Sequence, residues 1–201
     1  MSKLSYLEVR ETMTVVARNM WERRLTNAAG GNLAVKVAEN RILITPSLMA
    51  ERRFCLIQPE DLLLIDYSAN ILEGQGKLSR ESAMHIKLLR NFSFIGATIH
   101  AHPFYCMPFV AYGKEIPSVT EATLGRGNVG CIEYTGAGSP QLAEKVYQYF
   151  EQRRELAERK PMAVILPKHG VVVTGADLFH AYSMLERIEG DAFCALAQKL
   201  L

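Results

Sequence analysis

Residues 96–106 read GATIHAHPFYC. An apolar run ends there in two histidines one residue apart, His100 and His102, in a chain that holds only five. If the run is a strand, residues i and i+2 project to the same face, about 6 to 7 Å apart at Cβ. Two imidazoles so placed can converge on one ion at about 2.0–2.1 Å each. They can equally be ordinary strand residues hydrogen-bonded at the rim of a core, and the HxH spacing alone leaves both readings open.

A third imidazole would shift the balance. His169 follows a second apolar run, MAVILPK (162–168), and precedes Gly170, where the chain can turn sharply. It is expected at the same kind of sheet edge. Three neutral nitrogens leave a coordination position open, which marks a catalytic rather than a structural ion. His85 and His180 fall within expected helices and are read as packed or solvated helix residues.

Outward from these runs, helical and strand patterns alternate. SYLE at 5–8 resembles a capping box, with Ser5 as N-cap and Glu8 as its partner, opening a helix over 6–24. Gly30 and Gly31 break the chain before two strands, LAVKV and RILIT, joined by AEN. Pro46 ends the second. LLLID (62–66) is a buried strand, YSANILEGQGK a turn-rich connection, and 81–90 a helix followed by the strand 94–100. PFYCMPFVAYG is expected as a short helix with Pro103 in its first turn, and CIEY as a short strand. Ser139 and Pro140 suit the N-cap and first turn of a helix to about Arg154. Strands at 162–166 and 170–175 precede a last helix over 177–200. No repeat or linker divides the chain. The expectation is one α/β domain over 1–201, with a central, largely antiparallel β-sheet flanked by helices.

Bulk properties exclude several function classes. Hydrophobic residues make up 49% and charged residues 22%, ordinary for a folded chain and against disorder. A formal net charge of +2 gives no nucleic-acid footprint. No apolar stretch is long enough to span a bilayer, and the first residues lack a secretory apolar core. Four scattered cysteines without a CxxC pair are read as reduced thiols, and the expected location is cytoplasmic.

Glu81 opens its helix after a loop containing Gly74 and Gly76. It either complements the helix dipole or, if that helix start faces the histidines, serves as a general base. GGNLAV with Asn32, TPS with Thr45 and Ser47, and the pair Ser79–Arg80 could build an anion cradle. Each of these loops alone reads as a plain turn.

In order, GGNLAVKV, ILITPS, EGQGKLSRESAMH, ATIHAHP, KHGVVVTG and AYSMLERIEGDA resemble the class II aldolase family, of the fuculose-phosphate aldolase and ribulose-phosphate 4-epimerase type, which also includes the adducin head. The likeness covers nearly the whole chain. It implies a divalent metal, typically Zn2+ with Mn2+ or Co2+ as alternatives, on His100, His102 and His169, and Glu81 as the acid/base. It implies a sugar-derived substrate whose anionic end meets Asn32, Thr45, Ser47, Ser79 and Arg80, and a homo-oligomer, most often a tetramer, with active sites between subunits. A glutamate at position 81, where the epimerases carry aspartate, favours carbon–carbon lyase chemistry through a metal-stabilised enediolate. A dehydratase, epimerase or decarboxylase would use the same ligands. A non-catalytic adducin-like module is disfavoured, because adducin-type heads lack them.

The sequence also departs from the family pattern. Leu48 replaces a glycine of the phosphate loop, and Arg80 replaces a second serine. By spacing, Glu121 occupies the place of a tyrosine contributed across subunits. The sequence ends at Leu201, before the tail that carries a second tyrosine in the fuculose enzyme.

Overall fold

The computed structural model describes residues 4–201. Helix α1 (Leu7–Glu22) leads into β1 (Asn32–Ala38) and β2 (Arg41–Ile44), then a short α2 (Met49–Arg53), β3 (Leu63–Ile65) and β4 (Ile71–Glu73). Next come α3 (Ser82–Asn91), β5 (Ala97–Ala101), α4 (Met107–Tyr112) and α5 (Glu121–Leu124). The chain closes with α6 (Pro140–Glu151), α7 (Arg154–Arg159), the hairpin β6 (Met162–Leu166) and β7 (Gly170–Gly175), and α8 (Leu178–Ala197). Among the described residues no helix is long and apolar enough to cross a membrane.

All seven strands join one sheet in the order β4-β3-β2-β1-β5-β7-β6, with every neighbouring pair antiparallel. Both faces are covered, so β5 and the β6–β7 hairpin are buried at every position. Period-2 alternation still divides the two cores. Leu33, Leu43, Ile99, Ile165 and Val173 pack with α1 and α8. Ala34, Ile42, Ile44, Val164 and Val172 pack with α3 and α6. Thr98 and His100 alternate with Ala97, Ile99 and Ala101, and therefore point to the α3 side. That alternation sends polar groups into one end of an otherwise apolar layer.

Several local expectations are corrected. Ser5 does not cap α1. Tyr6 is the N-cap, in the left-handed region with φ 58° and no side-chain cap. The buried Arg10 guanidinium claims the entering chain instead, donating to Ser5 O, Pro59 O and Leu62 O and pairing with Glu73 at 2.6 Å. Pro103 lies outside α4, which begins at Met107 with Pro108 in its first turn. The Tyr105 and Cys106 amides donate to Glu189 at 2.8 and 2.9 Å, so 103–106 form a turn held by a carboxylate. CIEY is no strand, only a bridge from Cys131 to Ile165. The helix begun by Ser139 stops at Glu151, and α7 follows as a separate piece. The segment YSANILEGQGK contains β4.

Candidate active site

Four chain segments meet at one end of the sheet: the start of β1, the end of β2, the end of β5 and the β6–β7 turn. Asn32 opens β1 and pairs in register with His100 on β5. His102 lies just past the strand. His169 closes the three-residue turn between Leu166 and Gly170, its amide donating to Leu166 O at 3.0 Å. The left-handed residue of that turn is Lys168, at φ 61°, and not Gly170. A glycine is needed at 170 for close approach. A Cβ there would stand 2.5 Å from Ala101 O and His102 Cδ2, and 3.0 Å from His100 Cε1.

The three imidazoles converge, each offering a donor atom within 4.8 Å of the others. His100 Nδ1 meets Val171 O at 3.0 Å, and His102 Nδ1 meets Asn27 Oδ1 at 3.3 Å. A carbonyl oxygen only accepts, so each Nδ1 carries the hydrogen and each Nε2 keeps a lone pair. Those two Nε2 atoms face each other at 3.2 Å. Two lone pairs so opposed repel unless a cation or proton lies between them. Oriented Nδ1–H groups and converging Nε2 atoms are the arrangement of metal-binding histidines, so the donor set fits a divalent cation. Burial favours the neutral form throughout. His100 is held well below the usual imidazole range by desolvation and by His102 and His169. Desolvation takes His102 to about 4 and lowers His169, aided by the Arg80 charge. Neutral imidazole is the form that binds metal.

Glu81 is the N-cap residue of α3, but its side chain caps nothing. Its Oε1 stands 3.6 Å from His169 Nε2, and its buried Oε2 has no partner. Burial raises its pKa, opposed by the Gly138 amide and the Arg80 charge. The carboxylate is aimed at the histidines, so the helix-start and general-base placements coincide.

A polar cleft of about 140 Å³ opens beside this group, bordered by Asn32, Ser47, Ser79, Arg80, Glu81, His100 and His169, among others. Asn32 Nδ2 donates to Ser79 Oγ at 3.2 Å. Arg80 is exposed and makes no ion pair among the described residues. A Cβ on Gly138, at φ +68°, would lie 2.7 Å from the Arg80 Cβ, so that loop is fitted against the arginine. Thr45 does not join this group. It is fully buried, its hydroxyl accepts from Leu33 N at 3.2 Å, and it does not line the cleft. Glu121 stands exposed at the start of α5, also outside the cleft lining. Leu48, which borders the cleft, holds φ 63° at the N-cap of α2. His180 is exposed and pairs with Asp177. His85 is fully buried between Thr98 and Asn32. Reading the sequence missed Asn27 as the partner of His102; its only signal was a position in the loop before Gly30.

The chain matches the Class II Aldolase and Adducin N-terminal domain family over residues 11–196. It belongs to the class II aldolase family. It is 31% identical over 175 residues to the L-fuculose phosphate aldolase of Methanococcus maripaludis, covering 87% of this chain and 88% of that relative. The 3-oxo-tetronate 4-phosphate decarboxylase of Haemophilus influenzae is 31% identical over 192 residues, 92% of this chain and 86% of the relative. A solved L-fuculose 1-phosphate aldolase superposes with a TM-score of 0.84 at 27% identity, covering 100% of this chain and 91% of that one. The antiparallel sheet flanked by helices is thus the class II aldolase fold, as the sequence resemblance implied.

Proposed function

We propose that this class II aldolase is zinc-dependent and cleaves a carbon–carbon bond in a phosphorylated ketose or related sugar derivative. The observation that carries this is the aim of Glu81, whose buried, unpartnered carboxylate oxygen sits beside three converging imidazoles at the end of a polar cleft. A divalent cation on His100, His102 and His169, zinc or alternatively manganese or cobalt, supplies Lewis acidity toward the hydroxyl and carbonyl oxygens of a hydroxyketone. Glu81 takes a proton at its carboxylate in one direction and returns it in the other. Its raised pKa holds it closer to neutrality, where a group that must both take and give a proton works best. Asn32, Ser47, Ser79 and Arg80 grip the anionic end of the substrate and fix its distance from Glu81.

Self-association is part of the reading. Phe104, Tyr105 and Leu196 are exposed and line a groove that His102 also borders, and the Tyr105 ring packs edge-on against Phe104 and at a tilt against the exposed Phe193. Such an apolar patch beside the site supports a homo-oligomer, a tetramer by family resemblance, with Glu121 as the cross-subunit contributor. A decarboxylase acting on a phosphorylated sugar acid is the second reading, supported by the equally similar Haemophilus relative. Metal analysis of the purified chain, followed by a screen of phosphorylated and unphosphorylated ketoses and sugar acids, tests both. Stoichiometric metal with aldehyde release is the expected result. Carbon dioxide release alone selects the decarboxylase, and failure to hold zinc, cobalt or manganese after loading overturns the site.

A further inference from the structure

His85 is 0% exposed, on the inner face of α3, one turn after Glu81. Nothing in the proposed chemistry uses it, yet both its nitrogens are engaged. Nδ1 lies 2.6 Å from Thr98 Oγ1, and Nε2 is hydrogen-bonded to Asn32 Oδ1. From Asn32 the chain of contacts continues into the cleft. Asn32 Nδ2 donates to Ser79 Oγ at 3.2 Å, and that oxygen also accepts from Glu81 N at 3.2 Å.

A neutral imidazole has one donor and one acceptor, so this run has a polarity. The amide oxygen of Asn32 can only accept, so Nε2 carries the hydrogen and Nδ1 accepts from the Thr98 hydroxyl. Asn32 then turns its amino group toward Ser79 and keeps a second N–H free. Ser79 Oγ already accepts twice, which leaves its own hydrogen free. Both residues border the cleft. The reverse polarity would place the hydrogen on Nδ1, flip the Asn32 amide and consume the Ser79 hydrogen. The cleft would then present an acceptor where an anion needs donors.

We infer that His85 is a positioning residue whose Nε2–H tautomer orients Asn32 and Ser79 as a donor pair for the anionic end of the substrate. This rests on the anion-binding role proposed for that cleft. The role differs from filling the core, because a side chain of similar volume without a donor would leave the Asn32 amide free to flip.

Two measurements on the full-length chain test it. Long-range 1H–15N spectra of [15N]histidine-labelled protein, with the His85 signals assigned by their loss in His85→Gln, should report the Nε2–H tautomer. Calorimetric titration of inorganic phosphate into the zinc-loaded chain gives the second readout. His85→Leu should weaken phosphate binding about ten- to a hundredfold, the scale of a lost charge-assisted hydrogen bond, with zinc content unchanged. His85→Gln, which keeps a donor facing Asn32, should restore affinity close to wild type. Should His85→Leu fail to fold, the near-isosteric Thr98→Val removes the hydroxyl that holds the ring at Nδ1 and should weaken phosphate binding with zinc content unchanged. An Nδ1–H tautomer, or unchanged phosphate affinity in both His85→Leu and Thr98→Val, overturns the positioning role alone. A wild type that binds no phosphate overturns the anion-site reading and this role with it.

Discussion

Glu81 and His169 face each other at 3.6 Å, Oε1 to Nε2, and each keeps a second buried atom without a partner, Oε2 on one and Nδ1 on the other. A carboxylate buried only to start a helix would use both oxygens on backbone amides. This one leaves an oxygen idle next to the imidazole cluster, as expected of a group awaiting substrate.

Replacing Glu81 with Gln keeps the shape and removes the base. Turnover should fall by about 10² to 10⁴, the share of a positioned acid/base. Burial raises the Glu81 pKa. Its contribution to stability is therefore full below the unfolded carboxyl value and lost as pH rises through the folded one. At neutral pH the uncharged variant should melt no lower than wild type. Full turnover together with full exchange of the product's α-proton in deuterated water would reduce Glu81 to a helix-start residue.

Alanine at His100, His102 or His169 should each strip most of the bound metal, since each removes one of three protein ligands. The wild type should gain about 2.7 kcal/mol when free zinc stands at a hundred times its dissociation constant, and the variants should not. His180→Ala should hold metal like wild type, because that imidazole is exposed and pairs with Asp177. Elemental analysis and melting curves with and without zinc separate these outcomes.

The strands legible in the sequence are those with long apolar runs. MAVIL and GVVVTG are buried throughout and LAVKV over its first three residues, and composition alone marks them. The three-residue β4 escaped because it is a bulged sheet edge with Ile71 and Leu72 exposed, too short for any period. The helices α2 and α5 span about one turn each and show no helical repeat. Convergence of the histidines followed from i, i+2 spacing plus a second strand end. Thr45 looked like a loop hydroxyl, but the ladder turns it inward onto Leu33. His85 read as a packed helix residue, because no local pattern shows that α3 lies over the polar end of β5.

Acid should destabilise the metal-free chain in a defined window. His85 is kept neutral down to about 3 and His102 down to about 4, mainly by burial. Unfolded, each takes up a proton near about pH 6.5. Below that pH the unfolded chain binds more protons, so stability falls as pH falls, by about 1.4 kcal/mol per pH unit for each such group. His85→Gln should lessen the slope of urea unfolding free energy against pH by one proton. An unchanged slope would mean that His85 is charged in the folded protein.

Among the described residues Arg80 is a cation without an ion pair at the edge of the cleft. Arg80→Ser should raise KM about ten- to a hundredfold on an anionic substrate, leaving bound metal unaffected. His169 is held low by burial and also by the Arg80 charge, so removing that charge should move the acid limb of the rate profile up in pH. Unchanged kinetics on every active substrate would place Arg80 outside the anion site.

Leu48 holds φ 63° and is 48% exposed while bordering the same cleft. The left-handed region costs a non-glycine residue roughly 1–2 kcal/mol. Glycine loses more chain entropy on folding, about 0.5–1 kcal/mol. Little apolar burial is at stake at a half-exposed position, so Leu48→Gly should be neutral or stabilising by up to about 1 kcal/mol. It should also widen the cleft and lower KM for a phosphorylated substrate. Urea unfolding and steady-state kinetics check both. Destabilisation by more than about 1 kcal/mol would mean that the Leu48 side chain is buried in the assembled protein. Its solvent-facing surface would then be an intersubunit contact, and the loop would serve assembly instead of the anion.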